Sequence, residues 1–296
     1  MKHWLKAIRL RTIPLALASI VMGSFLAAET GNFNLSIFSF AVITTVFLQI
    51  LSNLANDYGD SIHGADSIHR AGPARSVQSG SITAKSMKSA IILASFLSFV
   101  SGIILLYLSF SNLNFYFVFF ILLGTGAIMA ALGYTLGKRP YGYSGLGDLF
   151  VMIFFGLVGV LGTLFLFAGK VDIIQLLPAL STGFFATAVL NINNIRDLVS
   201  DRKAGKKSIP VRIGRKKAVW YHWFLLSAGF ISALLYTFLD YHSMMQFMFI
   251  ITLPLFIING RDVYFKTESM QLDPSLRKMA ITSLLFSLTF GAGLII

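Results

Sequence analysis

Apolar residues in this chain do not alternate with polar ones but run in long blocks. Nine such blocks, at 13–29, 35–55, 89–108, 115–134, 148–168, 174–192, 218–238, 244–259 and 279–296, have roughly the 20 residues that carry an α-helix across a hydrocarbon core. None is interrupted by a charge cluster, and no period-2 alternation of the kind a transmembrane β-barrel needs is present. A bilayer leaves no water for unpaired backbone groups, so each block must be helical. The pattern predicts an all-α membrane protein of nine transmembrane helices, forming a single domain over residues 1–296. Four connections are terse, as at Glu29 to Asn34, whereas 57–88 and 193–217 are the two longest.

Composition agrees: 56% of residues are hydrophobic and 12% charged, against the roughly 25% charged of soluble domains. Charge adds orientation. With the N-terminus in the cytoplasm, 23 of the 24 Lys and Arg residues fall on the cytoplasmic side and only Lys170 lies outside, which is the positive-inside asymmetry. The net charge of +12 follows from loops facing anionic lipid, so no nucleic-acid partner is implied. The first apolar block reads as a retained helix rather than a cleaved signal. With no cysteine in the chain, disulfides, thiolate metal sites and thiol catalysis are excluded.

Against this background the stretch NDYGDSIHGAD at residues 56–66 stands out, because the chain has only 12 acidic residues. On a helix Asn53, Asn56, Asp57 and Asp60 are spaced i, i+3, i+4, i+7 and share one face, with Asp66 beyond them. Four blocks later NINNIRDLVSD repeats the theme, with Asn193, Asp197 and Asp201 at i, i+4, i+8 and Asn194 alongside. Two stripes of hard oxygen donors at one membrane surface suit Mg²⁺, which takes one or two carboxylates and completes its shell with water and substrate phosphate. Cations follow each stripe, Arg70 and Arg75 after the first and Arg196, Arg202, Lys203, Lys206 and Lys207 in the second. Carboxylates holding a metal beside basic side chains make a site for a diphosphate. Either stripe alone reads equally well as a solvated helix end, and loop cations set topology anyway; the matching pair is what points to a site. A third cytoplasmic loop, GYTLGKRPYGYSGLGDLF at 133–150, carries Tyr134, Tyr141, Tyr143 and the pair Lys138 and Arg139. It reads as a structured loop over a site or as an interfacial aromatic belt.

NDYGDSIHGAD, RAGPARSVQSG, GYTLGKRPYGYSGLGD and NNIRDLVSDRKAGKKSIPVRIG, in this order and preceded by RLRTIPLALASIVMGS, together resemble the UbiA superfamily of intramembrane aromatic prenyltransferases. Within it they are most similar to the branch that prenylates 1,4-dihydroxy-2-naphthoate in menaquinone synthesis. The resemblance implies nine helices bundled around a central cavity, and two aspartate-rich motifs that bind Mg²⁺ and the diphosphate of a polyprenyl donor. Carried over, the first motif is Asn53, Asn56, Asp57, Asp60 and Asp66, and the second Asn193, Asn194, Asp197 and Asp201. The first departs from the commoner superfamily spacing, since position 64 is Gly and the acid arrives at Asp66. In this reading Asp57, Asp60, Asp197 and Asp201 ligate metal, while Arg75, Lys203, Lys138, Arg139 and Asn193 contact phosphate or the acceptor carboxylate. Tyr134 faces the developing allylic cation. The implied reaction is polyprenyl transfer with decarboxylation, giving demethylmenaquinone at the bacterial cytoplasmic membrane. The alternatives are another aromatic acceptor such as 4-hydroxybenzoate, a CDP-alcohol phosphotransferase, whose DGxxAR signature is missing because Ala74-Arg75 follows Ala71-Gly72-Pro73, and a transporter, whose charges belong nearer the midplane.

Overall fold

The computed structural model describes residues 2–63, 75–110 and 112–296. A short surface helix α1 (Lys2–Ile8) leads into α2 (Ile13–Glu29), α3 (Leu35–Ile62), α4 (Ala84–Ser109) and α5 (Phe115–Gly133). Then follow α6 (Gly147–Ala168), α7 (Ile173–Arg196), the short α8 (Leu198–Lys203), α9 (Ile209–Leu239), α10 (Met244–Phe265) and α11 (Ser269–Ile295). Among the described residues nine helices are long and apolar enough to cross a membrane, matching the nine apolar blocks, and the protein is an integral membrane protein. Two boundaries differ from the hydropathy pattern. Helix α3 runs to Ile62, past the apolar block that ends at 55, because helical hydrogen bonding continues into polar residues once they leave the lipid. Helical residues also precede 218 in α9, from Ile209, but there Gly214 (φ 78°, ψ 161°) kinks the segment, so this polar start is a separate short piece of helix.

Short polar caps start the helices that follow the external turns. The Asn34 side chain accepts from the backbone N–H groups of Ser36 (2.9 Å) and Ile37 (3.2 Å), and Asn114 accepts from Phe117 N–H (2.9 Å), satisfying donors that a helix start leaves unpaired. The bundle closes in a ring. Helices α3, α4 and α5 pack together, α2 lies between α3 and α11, and α6, α7, α9 and α10 complete the circuit. On one side the ring is filled by aromatic rings, with Phe185 tilted against Phe256 and edge-to-face with Phe286 at centroid distances of 4.3 and 4.8 Å. On the other, between α2, α3, α4, α5, α6 and α7, it stays open as a cavity of about 420 Å³.

Two local irregularities shape that cavity. Residues Met152–Gly162 of α6 are a π-helix, a rare wide form that is frequent at functional sites; Ser19 on α2 donates to the Phe155 carbonyl (2.6 Å), and Phe154, Phe155, Val158, Gly159 and Gly162 face the cavity. On α3, Gly59 sits so close to Thr135 that an added Cβ would lie 2.6 Å from the Thr135 Cβ. This approach allows Thr135 Oγ1 to donate to the Ala55 carbonyl (2.9 Å) and to Asn56 Oδ1 (3.2 Å), pinning the 133–150 loop to the first aspartate motif.

The charge pattern predicts that this motif faces the cytoplasm. Since the chain has no cysteine, Gln78→Cys and Thr30→Cys, both at exposed positions, report sidedness on a clean background. An impermeant thiol reagent added to intact cells is expected to label position 30 and to leave position 78 unlabelled.

Candidate active site

The site forms where the polar ends of α3 and α7 meet beneath the 133–150 loop. Asn53, Asn56, Asp60, Arg75, Tyr134, Tyr143, Asn193, Asn194, Asp197, Asp201 and Lys206 all line the one cavity, so two stripes more than 130 residues apart in sequence share a wall. Asp60 is its hub. Its carboxylate accepts from Arg75 Nη2 (3.2 Å), Tyr143 OH (3.0 Å) and Lys206 Nζ (2.9 Å), and Lys206 reaches Asp201 at 3.5 Å. The Lys206 ammonium also lies 4.7 Å from the Tyr143 ring centroid, within cation–π range. Lys206 thus bridges the two motifs.

The electrostatics follow from burial. Asp201 is pushed up to about 6, first by burial and then by Asp197 and Asp60, although Lys206 pulls it down. Burial would lower Lys206, but Asp60 and Asp201 outweigh it and hold the ammonium above its ordinary value.

The second motif is held differently. Helix α7 ends at Arg196, and Asp197 is the break before α8 (φ −93°, ψ 10°), so the predicted stripe is not one unbroken helix. It keeps its face because Asp197 N–H still bonds to the Asn193 carbonyl (3.0 Å) and Asp201 N–H to the Asp197 carbonyl (2.8 Å). The Arg196 guanidinium, only 2% exposed, grips both oxygens of Asp197 (2.8 and 2.7 Å), Asn193 Oδ1 (2.8 Å) and Asp273 Oδ1 (2.8 Å). Asp273 in turn pairs with Arg11 through its other oxygen.

Several expected residues are placed otherwise. Both oxygens of Asp57 accept backbone N–H groups, from Ser76 (3.0 Å) and Val77 (3.1 Å); Asp57 folds the 75–80 loop so that Arg75 meets Asp60, and it is not on the cavity wall. Asn53 lines the wall, yet its amide donates to the Ile8 carbonyl (2.8 Å) and Thr12 Oγ1 (2.9 Å). These bonds hold the turn at Arg9, whose φ of 54° is a left-handed conformation costing a non-glycine residue roughly 1–2 kcal/mol. Lys138 and Arg139 sit on the exposed tip of their loop, and Lys203 is exposed on α8; none of the three lines the cavity. The loop tip carries Lys138 and Arg139 outward, and the outer face of α8 carries Lys203; the cations of the wall are instead Arg9, Arg11, Arg75 and Lys206. Asp66 lies outside the described residues. Asp273 lies in no motif, and Arg11 only in the RLRTIPLALASIVMGS stretch that precedes the motifs; the one sequence signal for Asp273 is an acid at the start of the last helix.

The oxygen-rich donor set of Asn56, Asp60, Asn194, Asp197 and Asp201 fits a hard divalent ion, and the adjacent Arg75 and Lys206 fit an anion that such an ion would bring. Deeper in the cavity the wall is apolar, with Leu105, Phe120, Ile121, Phe154 and Val158 among its residues.

The sequence profile of the UbiA prenyltransferase family matches residues 16–284. The chain is 43% identical over 298 residues to 1,4-dihydroxy-2-naphthoate octaprenyltransferase of Haemophilus influenzae, covering 100% of this chain and 96% of that one. To the enzyme of the same name from Escherichia coli K12 it is 41% identical over 291 residues, covering 98% and 94%. Among solved structures it resembles the apo form of a UbiA homolog from Aeropyrum pernix K1, with a TM-score of 0.72 at 18% identity over 97% of this chain and 98% of that one. It also resembles a UbiA homolog from Archaeoglobus fulgidus solved with GPP and Mg²⁺, with a TM-score of 0.63 at 19% identity over 97% and 98%. A nine-helix bundle whose two aspartate motifs meet at one cavity, matched by the profile over nearly the whole chain, belongs to the UbiA prenyltransferase family.

Proposed function

We propose that the protein transfers a polyprenyl group from its diphosphate to 1,4-dihydroxy-2-naphthoate, releasing diphosphate and CO₂ and giving demethylmenaquinol, the hydroquinone of demethylmenaquinone. The observation that carries this reading is the convergence of both aspartate motifs, Arg75 and Lys206 at the polar end of one cavity whose remainder is apolar; the full-length likeness to two naphthoate octaprenyltransferases supports the acceptor. Asn56, Asp60, Asn194, Asp197 and Asp201 would hold Mg²⁺, which when bound neutralises charge on the departing diphosphate. Arg75, paired with Asp60, and Lys206, paired with Asp60 and Asp201, are the cations beside that donor set and would contact the phosphate oxygens. Their fixed positions supply charge stabilisation where it develops, which is the largest catalytic contribution a protein makes to such a step. Tyr134 borders the same space, and its ring face attracts the allylic cation without competing strongly for it. The apolar wall takes the isoprenoid tail and excludes water from the cation.

Membrane lipid surrounds the bundle, and the site opens on the cytoplasmic side of a bacterial membrane, a placement that the charge asymmetry supports. The test is direct. Purified protein with Mg²⁺ and octaprenyl diphosphate should convert 1,4-dihydroxy-2-naphthoate to a product lighter by CO₂ than the simple adduct, by mass spectrometry. Efficient prenylation of 4-hydroxybenzoate with none of the naphthoate would refute the acceptor and leave prenyl transfer standing.

A further inference from the structure

The chain Arg11–Asp273–Arg196–Asp197, buried at Arg196 and Asp197 and half-buried at Arg11 and Asp273, links the start of α2, the start of α11 and the second aspartate motif. Arg196 makes two bonds to Asp197, one to Asn193 and one to Asp273. Asp273 divides its two oxygens between Arg196 and Arg11. No member of this chain except Asp197 belongs to an aspartate motif, and Asp273 comes 72 residues after Asp201.

We propose that Asp273 is a positioning residue for the metal site: by sharing the Arg196 guanidinium it keeps Asp197 oriented and negative enough to hold a divalent ion. The proposal rests on the reading of Asp197 as a metal ligand. A carboxylate gripped at both oxygens by an unshared buried guanidinium is a weak ligand, because the arginine's positive charge opposes the incoming cation. Asp273 offsets that charge. The four groups together are neutral, two arginines and two aspartates, so a divalent ion meets no net repulsion from them. Loss of the Asp273 charge leaves one positive charge uncompensated beside Asp197, whereas loss of the Arg11 charge leaves one negative charge. The effects on metal affinity must therefore have opposite signs, even though both substitutions break the same ion pair. A purely structural role gives the same sign for both.

The experiment is Mn²⁺ binding to purified protein without substrate, followed by electron paramagnetic resonance, with thermal unfolding in the absence of metal as the check on folding. Asp197→Asn serves as the reference for loss of the site. Asp273→Asn is expected to weaken Mn²⁺ by about 10-fold, the lower end of the effect of residues behind a metal ligand; Asp273→Glu should restore it, and Arg11→Gln should tighten it. If the native protein shows no saturable Mn²⁺ binding that Asp197→Asn removes, the metal reading of the aspartate motifs fails. If that binding is present but Arg11→Gln does not tighten it, or Asp273→Asn leaves it unchanged, the positioning role of Asp273 is overturned.

Discussion

Asp60→Asn is expected to abolish prenyl transfer while leaving the bundle folded. The carboxylate of Asp60 is an acceptor shared by Arg75, Tyr143 and Lys206, and it is 4% exposed. An amide keeps its size and can still accept from Tyr143, so packing is little disturbed. It cannot supply the negative charge that joins the two motifs, nor an anionic ligand for the metal. Removing one preorganised charge-stabilising group typically lowers kcat by about 10²–10³-fold, and here a ligand and the counter-charge of two cations are lost together, so a fall of at least about 10³-fold is expected at saturating Mg²⁺. The measurement is turnover of octaprenyl diphosphate and 1,4-dihydroxy-2-naphthoate, beside thermal unfolding in detergent. Residual activity above about a tenth of the native value would show that Asp60 is an organiser of the loops and not part of the reacting centre. By contrast Lys138→Ala and Arg139→Ala, on the exposed loop tip, should leave turnover near native.

Arg196→Met carries the second large effect, and it acts on folding as well as on chemistry. The substitution keeps the length of the aliphatic stem but removes every partner of a guanidinium that serves Asp197, Asp273 and Asn193 at once. Asp197 is 6% exposed and would be left as a buried carboxylate without its arginine. Breaking a buried pair from one side costs about 3–5 kcal/mol, so a marked drop in unfolding temperature is expected together with loss of activity. The double substitution Arg196→Met with Asp197→Asn removes the carboxylate charge that Arg196 balances and should recover much of the stability but none of the turnover. Equal instability of the single and double variants would mean that the arginine contributes packing alone.

The blocks of apolar residues were enough to determine the nine helices, because a segment of that length in lipid has no other way to satisfy its backbone. The two acidic stripes were legible for a related reason: scarce carboxylates at helical spacing, in a chain otherwise short of charge, need a partner. Local spacing also carried Asn56, Asp60, Asn194, Asp197 and Asp201 to the cavity wall. It did not decide what each side chain touches. Asp57 is on the same helical face as Asp60, yet the 75–80 loop folds back onto it and takes both its oxygens. Lys203 and Lys206 look interchangeable in sequence, but only the turn at residues 204–208 aims one of them between Asp60 and Asp201. The local signal of Asp273, an acid at the start of the last helix, did not name its partners, since these come from the packing of α11 against α2 and α7. Helix formation and membrane insertion depend on neighbours along the chain, so sequence alone determines them; the pairing of buried charges depends on neighbours in space, which only the folded bundle supplies.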